Sequence, residues 1–217
     1  MESKATVFVV DDDPEMRRSL TGLLEEVDLP VETYSNAREF LDAYDPASRG
    51  CLVLDVRMPG MDGISLQKTL KKKGVTLPVI VLTGHGDVPM AVGAVQRGAF
   101  GFLEKPFRAQ PLLECINQAL ALDSETSRHR EEKEAIAARV ALLTPRQRQV
   151  MGLVVAGETT KTIAAALELS PKTVDHHRSQ IMDKLQARSV ADLVRTVQIT
   201  ENEPATFQNP RPAEESS

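Results

Sequence analysis

Hydrophobic residues in the first 122 positions follow two alternating patterns. Short apolar runs, typical of buried strands, occur at about 5–10, 30–34, 50–55, 77–82 and 100–103. Between these runs, apolar residues recur at helical spacing near 14–27, 36–43, 63–73, 87–97 and 109–122. Strands that alternate with helices predict an α/β fold, a doubly wound, flavodoxin-like sheet of five parallel strands. Right-handed crossovers favour the strand order 2-1-3-4-5.

The pattern changes after residue 122. Residues 123–143 are charged and then helical in pattern, which predicts a helical linker. The following stretch, 144–200, shows helical patterns without strands and predicts a small all-α domain, with helices at 145–156, 159–168, 171–185 and 189–199. Residues 201–217 are rich in Pro, Glu and Ser and are predicted to be a disordered tail. The sequence therefore predicts two domains, 1–122 and 144–200.

Composition narrows the class of protein. With 41% hydrophobic and 26% charged residues, no apolar run near 18 residues and no leader-like start, we expect a cytoplasmic protein without membrane contact. Cys51 and Cys115 lie in apolar segments and are expected to be reduced core residues. The net charge of −5 is divided unevenly, since residues 1–122 carry −4 and residues 144–200 carry +3. The two domains are therefore expected to have different partners.

Acidic residues mark the end of the first strand. Asp11, Asp12 and Asp13 follow it directly, and the third strand ends at Asp55. Ligands of such sheets bind where the strand order reverses, here between strands one and three, so these carboxylates should converge. Oxygen ligands of this kind suit Mg²⁺, although Asp11 and Asp12 could also be solvated turn residues. Asp13 precedes Pro14 and is predicted to cap the first helix.

Two further strand ends carry polar side chains. Strand four leads to Thr83 and strand five leads to Lys105. A carboxylate, a hydroxyl and an ammonium group at one edge of a sheet are difficult to explain by packing alone. The sequence therefore predicts a functional site at this edge.

The motifs VVDDD, LVLDVRMPGMDG, VLTGHGDVPMAV and FLEKPF resemble the receiver domain of two-component response regulators, and HGDVPMAV and EKPF are similar to the FixJ subfamily. The resemblance covers about residues 4–122. It implies that a sensor histidine kinase phosphorylates Asp55 while Mg²⁺ is held by Asp11, Asp12, Asp55 and the backbone carbonyl of Arg57. It also implies that Thr83 and Lys105 contact the phosphoryl oxygens and that Thr83 and Phe102 form a switch.

Histidine 85 has two interpretations. It could donate a hydrogen bond to the phosphoryl group, or it could be a loop residue that faces solvent or caps a helix.

The predicted helix at 171–185 has two distinct faces. Ser170 is suited to cap it and Pro171 to begin it. One face is apolar and includes one histidine: Val174, His177, Ile181 and Leu185. The opposite face is polar: Lys172, Asp175, His176, Ser179 and Asp183. Together with the preceding short helix this pattern suits a helix-turn-helix motif, although periodicity alone leaves a plain helical bundle open.

The motifs LTPRQRQVMGLVVAG, KTIAAALELSPKTVDHH and QIMDKLQARSVADLVR resemble the LuxR-type DNA-binding domain over about residues 140–200. The resemblance implies that helix 171–185 reads the bases of double-stranded promoter DNA. Base contacts would come from Asp175, His176 and Ser179. Phosphate contacts would come from Lys161, Lys172, Thr173, Arg178 and Lys184. His177 is expected to serve helix packing.

Both resemblances together imply a response regulator that acts as a transcription factor and is not an enzyme, beyond slow self-dephosphorylation at most. Phosphorylation would promote a homodimer through about residues 88–104 and so promote DNA binding. One alternative is a phosphatase of the haloacid-dehalogenase type, with Asp11 as nucleophile and Asp13 as acid and base. Another is a receiver that signals by protein contact without phosphate.

Overall fold

The computed structural model describes residues 5–84, 93 and 96–201. They form two compact units, and the division falls between Ser127 and Arg128. The first unit contains β1 (Thr6–Val10), β2 (Val31–Tyr34), β3 (Gly50–Asp55), β4 (Val79–Thr83) and β5 (Gly101–Glu104). Its helices are α1 (Pro14–Glu25), α2 (Ala37–Ala43), α3 (Gly63–Lys72) and the first part of α4 (Ala109–Ala141). All strand pairs are parallel in the order β2-β1-β3-β4-β5, which confirms the predicted fold class and order.

Both faces of the sheet are covered by helices, because successive residues of each strand point to opposite sides. Val7 and Val9 of β1 pack with α1 and α4, in a cluster that includes Leu20, Leu112 and Ile116. Phe8 and Val10 pack on the other side with α2 and α3, in a cluster that includes Phe40 and Leu66. Burial on both faces explains why the strands read as continuous apolar runs. Both cysteines are free, Cys51 is buried and Cys115 is half-buried, as expected of core residues.

Helix α4 is longer than the sequence pattern suggested. The predicted helix at 109–122 and the predicted linker at 123–143 form one continuous helix that ends at Ala141. No proline or glycine lies between 112 and 144 to interrupt it. Asp123 and Ser127 are buried, so the part of this stretch up to Ser127 belongs to the first unit, and the part from Arg128 belongs to the second.

The second unit is helical, as predicted. After the end of α4 it contains α5 (Pro145–Val155), α6 (Thr160–Ala166), α7 (Pro171–Leu185) and α8 (Val190–Glu201). Its core is aliphatic and draws on every one of these helices, with Val150, Ile163, Val174, Ile181 and Leu193 among its members. This core holds α6 and α7 together.

Some predictions lie outside the described residues. These are His85, the tail at 202–217 and most of the helix at 87–97, of which positions 93 and 96 are helical. None of the helices described here is long and apolar enough to cross a membrane.

Candidate functional site

The polar residues predicted to meet at the edge of the sheet lie at the carboxyl ends of four strands. Asp11 follows β1, Asp55 ends β3, Thr83 ends β4 and Lys105 follows β5. Asp11 is 1% exposed and Asp55 is 7% exposed. Burying carboxylates costs free energy unless they are paired, so this edge requires a compensating positive charge.

Lys105 supplies that charge. Its Nζ lies 2.7 Å from Asp11 Oδ2 and 2.7 Å from Asp55 Oδ1. One ammonium thus holds two carboxylates that come from different strands. The three groups together carry an excess of one negative charge, even without the exposed Asp12 beside them.

The pKa values of the pair follow from burial and contact. Burial raises the pKa of Asp55, and the Lys105 ammonium and a backbone hydrogen bond from Arg57 only partly offset this rise. Burial alone would lower the pKa of Lys105, but its hydrogen bonds to Asp11 and Asp55 outweigh that effect and raise it. Both carboxylates accept a hydrogen bond from the Lys105 ammonium, and they stabilise its positive charge.

The backbone around Asp11 is held in place by local contacts. Asp11 Oδ1 accepts a hydrogen bond from the Asp13 backbone N–H at 2.9 Å, and the Arg17 guanidinium donates to the Asp11 carbonyl at 2.6 Å. The Asp13 side chain accepts from the Glu15 N–H at 2.8 Å and caps α1, with Pro14 first in the helix, as predicted. Arg17 was not identified from the sequence, because an arginine on a helix surface carries no signal of its own.

Asp55 is fixed by the close approach of α3. The Gly63 N–H donates to the Val56 carbonyl at 3.0 Å, and a Cβ at position 63 would clash with the Asp55 carbonyl oxygen. Only glycine therefore allows α3 to begin this close to the end of β3.

The other predicted site residues lie near this edge. Of these, within the described part of the chain, only Arg57 forms a hydrogen bond with the Asp55 side chain, through its backbone. Asp12 is exposed, and Thr83 is buried with its hydroxyl donating to the Gly84 carbonyl at 3.3 Å. Phe102 is 41% exposed on β5. The structure thus brings Asp11, Asp55 and Lys105 into direct contact.

The acidic edge fits a magnesium ion by its chemistry. Within the part of the chain that the structure describes, no three acidic, histidine or cysteine side chains are grouped to hold a metal alone. Mg²⁺ does not require such a cage, because it keeps several waters and takes one or two carboxylates. Two buried carboxylates that share a single ammonium supply oxygen ligands and an unbalanced negative charge.

The second unit contains a helix-turn-helix motif formed by α6 and α7. Ser170 caps α7 by accepting from the Thr173 N–H at 3.1 Å, and Pro171 begins the helix, as predicted. The predicted apolar face is buried at Val174, Ile181 and Leu185. The predicted polar face is exposed at every position: Lys172, Asp175, His176, Ser179 and Asp183. His177 lies between the two faces and is half-buried.

Most residues predicted to contact DNA are accessible. Lys161 is exposed on α6, while Thr173 and Arg178 are half-buried on α7. Lys184 differs, since its ammonium donates to the Leu142 carbonyl at 3.0 Å and to Gln147 Oε1 at 2.9 Å. A phosphate contact by Lys184 would require it to leave both acceptors.

Gln147 is a structural residue that sequence reasoning missed. It is 3% exposed, and its Nε2 donates to Gln180 Oε1 at 2.8 Å. Its Oε1 also accepts from the Thr144 N–H at 3.0 Å and completes a capping box at the start of α5. The spacing Thr-x-x-Gln from 144 to 147 could have revealed the capping box, though not the contact with Lys184.

Comparison with known proteins assigns both units. The model of the response regulator receiver domain matches residues 7–117, and the model of the luxR family of bacterial regulatory proteins matches residues 141–197. The chain is 44% identical to the transcriptional regulatory protein FixJ of Bradyrhizobium diazoefficiens, over 90% of this chain and 95% of that protein. It is 45% identical to the transcriptional regulatory protein TdiR of Thauera aromatica, over 89% and 85% respectively. The solved structure of the response regulator StyR matches with a TM-score of 0.84 at 44% identity, covering 90% of this chain and 99% of that one.

Proposed function

Because the chain belongs to the response regulators that join a receiver domain to a LuxR-type DNA-binding domain, and is a transcriptional regulator, we propose that phosphorylation of Asp55 controls its DNA binding. The phosphoryl donor is a sensor histidine kinase. The observation that carries the proposal is the contact of Lys105 with both Asp11 and Asp55 at 2.7 Å, at the carboxyl edge of the sheet.

Asp55 is the nucleophile of the proposed transfer. Its carboxylate attacks phosphorus, a P–O bond forms, and the bond from phosphorus to the donor's leaving group breaks. Lys105 already touches the Asp55 carboxylate and is placed to pair with the oxygens of the phosphoryl group. Thr83 ends the neighbouring strand, and its hydroxyl can exchange the weak 3.3 Å bond to Gly84 for a phosphoryl oxygen.

We also propose that Mg²⁺ binds at this site. Asp11 and Asp55 are the carboxylate ligands, with Asp12 and the Arg57 carbonyl as the further ligands. When bound, the ion supplies positive charge that offsets the charge on the phosphoryl oxygens. The excess negative charge of the Asp11, Asp55 and Lys105 group supports this assignment.

Phosphorylation is proposed to act through Thr83 and Phe102. Movement of the Thr83 hydroxyl toward the phosphoryl group would free space at the end of β4, and Phe102, now 41% exposed, would turn inward. This rearrangement would alter the surface around residues 88–104, through which we propose that two copies associate. A dimer would then present two α7 helices to neighbouring major grooves of DNA.

Loading of Asp55 can be tested by mass spectrometry of the intact protein after incubation with acetyl phosphate and Mg²⁺. We expect one phosphoryl group on the wild type, none on Asp55→Asn, and one on Asp42→Asn, which removes an exposed acid of α2 as a matched control. Equal loading of the Asp55→Asn variant would refute the assignment.

The same samples distinguish the alternative functions. Gel filtration should show dimers only where Asp55 is loaded, and an Asp55→Asn variant that dimerises equally well on treatment counts against the proposed switch. Sustained release of phosphate from a phosphomonoester would favour the phosphatase alternative. Wild-type protein that takes up no phosphoryl group would favour a receiver that signals by contact alone.

A further inference from the structure

A chain of polar contacts connects α6 to the exposed face of α7. Thr160, the first residue of α6, is half-buried, and its Oγ1 donates to Asp175 Oδ1 at 3.1 Å. The Arg178 guanidinium donates to the same Thr160 hydroxyl at 3.4 Å. The chain therefore runs from Arg178 through Thr160 to Asp175.

The direction of this chain is fixed by the chemistry of its members. Arginine can only donate hydrogen bonds, an ionised aspartate can only accept them, and a threonine hydroxyl has a single proton. The Thr160 proton must therefore go to Asp175, and a lone pair of the same oxygen faces Arg178. The Thr160 hydroxyl therefore uses the Asp175 carboxylate as its acceptor and holds the positively charged Arg178 guanidinium nearby.

The contact restricts an otherwise exposed side chain. Asp175 lies on the exposed face of α7, where a side chain without partners would sample several rotamers. With Oδ1 held by Thr160, Oδ2 remains as the acceptor that can meet a base edge. Cytosine N4 is the donor in the major groove that suits an aspartate.

We propose that Thr160 is a positioning residue for sequence recognition, which orients the Asp175 carboxylate toward a base and couples it to Arg178. The inference rests on the proposed binding of DNA through α7. It adds to that function a residue that would touch no base, yet determines how strongly one base pair is distinguished from the others.

The test uses the full chain treated with acetyl phosphate and Mg²⁺. Selection from a library of random DNA duplexes first gives the sequence that the wild type prefers. Affinities are then measured for that duplex and for duplexes with single base-pair changes. The variants are Thr160→Val, Thr160→Ser, Asp175→Ala and the double variant of Thr160→Val with Asp175→Ala. The control is Thr196→Val, because Thr196 is also half-buried and its hydroxyl donates to the Asp192 carbonyl of its own helix.

We expect Thr160→Val to lose discrimination by about tenfold at the same base pair at which Asp175→Ala loses it. The double variant should lose no more discrimination than Asp175→Ala alone, because both changes disable the same contact with the base. Thr160→Ser should retain wild-type discrimination, since it keeps the hydroxyl, and so should Thr196→Val. Circular dichroism shows whether each variant is folded, and Thr160→Ala replaces Thr160→Val if the valine is not tolerated.

Three results would overturn the inference. Thr160→Val could discriminate as well as the wild type, or it could weaken binding to all duplexes equally, which would mark a purely structural role. Asp175→Ala could leave discrimination unchanged at every base pair. A wild type that selects no sequence from the library would instead refute the proposed function, so the two failures are distinguishable.

Discussion

Among the residues whose side-chain burial is described, the receiver unit (residues 5–127) buries carboxylates and the DNA-binding unit (128–201) does not. In the described part of the receiver unit, three carboxylates are buried, those of Asp11, Asp55 and Asp123, beside the neutral side chains of Gln67, Thr83 and Ser127. Among residues 128–199, for which side-chain burial is described, the only buried polar side chain is the neutral amide of Gln147. Each unit also has a lysine that bridges two acceptors. Lys105 bridges two carboxylates, whereas Lys184 bridges a carbonyl and an amide.

This difference is the one expected if the Lys105 group forms the proposed chemical site and the Lys184 contacts serve stability. The Lys105 group has unbalanced negative charge, which a packed core would avoid and which the proposed Mg²⁺ would balance. The contacts of Lys184 satisfy neutral groups and hold α7 against the start of α5 and the end of α4. Removing the ammonium from each lysine should therefore have unequal effects.

The largest effect is expected for Lys105→Met. The substitution leaves Asp11 and Asp55 buried together without a cation and should destabilise the receiver unit by about 3 kcal/mol at neutral pH. Added Mg²⁺ should stabilise this variant more than the wild type, because it replaces the missing charge. Hydrogen exchange of the amides in β1, β3 and β4 measures both effects within this unit.

Lys184→Met is the matched control for that experiment. It leaves only neutral acceptors without a donor, so we expect a loss of about 1 kcal/mol in the DNA-binding unit and no response to Mg²⁺. Equal losses of stability in Lys105→Met and Lys184→Met would show that the charge of the acceptors does not decide how much each lysine stabilises its unit.

The second largest effect is expected for Asp123→Ala, in the third buried carboxylate. Asp123 Oδ2 accepts from the Gly50 N–H at 3.0 Å and lies 3.9 Å from Arg49 Nε. Alanine leaves that buried N–H without its acceptor and should cost the receiver unit about 2 kcal/mol. Asp123→Asn keeps an oxygen acceptor and should cost about half as much. Thermal unfolding measures the order of stability, which should be wild type, Asp123→Asn and then Asp123→Ala. An alanine variant as stable as the wild type would contradict this prediction.

The sheet and its edge were predictable from the sequence because both depend on local patterns. Continuous apolar runs identify buried parallel strands, and the order of parallel strands determines where Asp11, Asp55 and Lys105 meet. The contact of Lys105 with both acids was not predictable from spacing, since it depends on how far the side chain reaches across the sheet. Whether Asp12 and the Arg57 carbonyl take part in metal binding remains a prediction.

The long-range contacts of Asp123, Thr160 and Gln147 were not predictable for a related reason. Each makes its decisive contact with a residue distant in sequence, and a polar residue in a helix reads as solvent-exposed unless its partner is known. Asp123 lies in a stretch rich in charge that suggested a linker, yet it binds the first residue of β3. The resemblance to the LuxR-type domain implied a phosphate contact for Lys184, while its distant acceptors lie at Leu142 and Gln147.

A smaller effect concerns the pH dependence of the receiver unit. Burial raises the pKa of Asp55 above its ordinary value, so the folded state holds this proton more tightly than the unfolded state. The resulting stability is present below about pH 4 and is lost as the pH rises through the folded pKa. Asp55→Asn removes the titration, so at neutral pH it should be more stable than the wild type, and the difference should vanish in acid. Denaturant unfolding from acid to neutral pH tests this, and a variant that is less stable than the wild type at neutral pH would instead show that pairing with Lys105 dominates.

The smallest effect is expected for Gln147→Glu, which turns the neutral partner of Lys184 into a charged one. A glutamate keeps the capping box with the Thr144 N–H and places a carboxylate 2.9 Å from the Lys184 ammonium, near the amino end of α5, where negative charge is favourable. The contact with Gln180 survives if the Gln180 amide turns to donate. Against these gains stands the cost of burying a charge, so we expect a net stabilisation of about 0.5 kcal/mol in the DNA-binding unit. In a Lys184→Met background the same change should destabilise, because the carboxylate then has no cation. If Gln147→Glu has the same effect with and without Lys184, the charge of the acceptor is irrelevant there, and charge would not distinguish the two lysine sites.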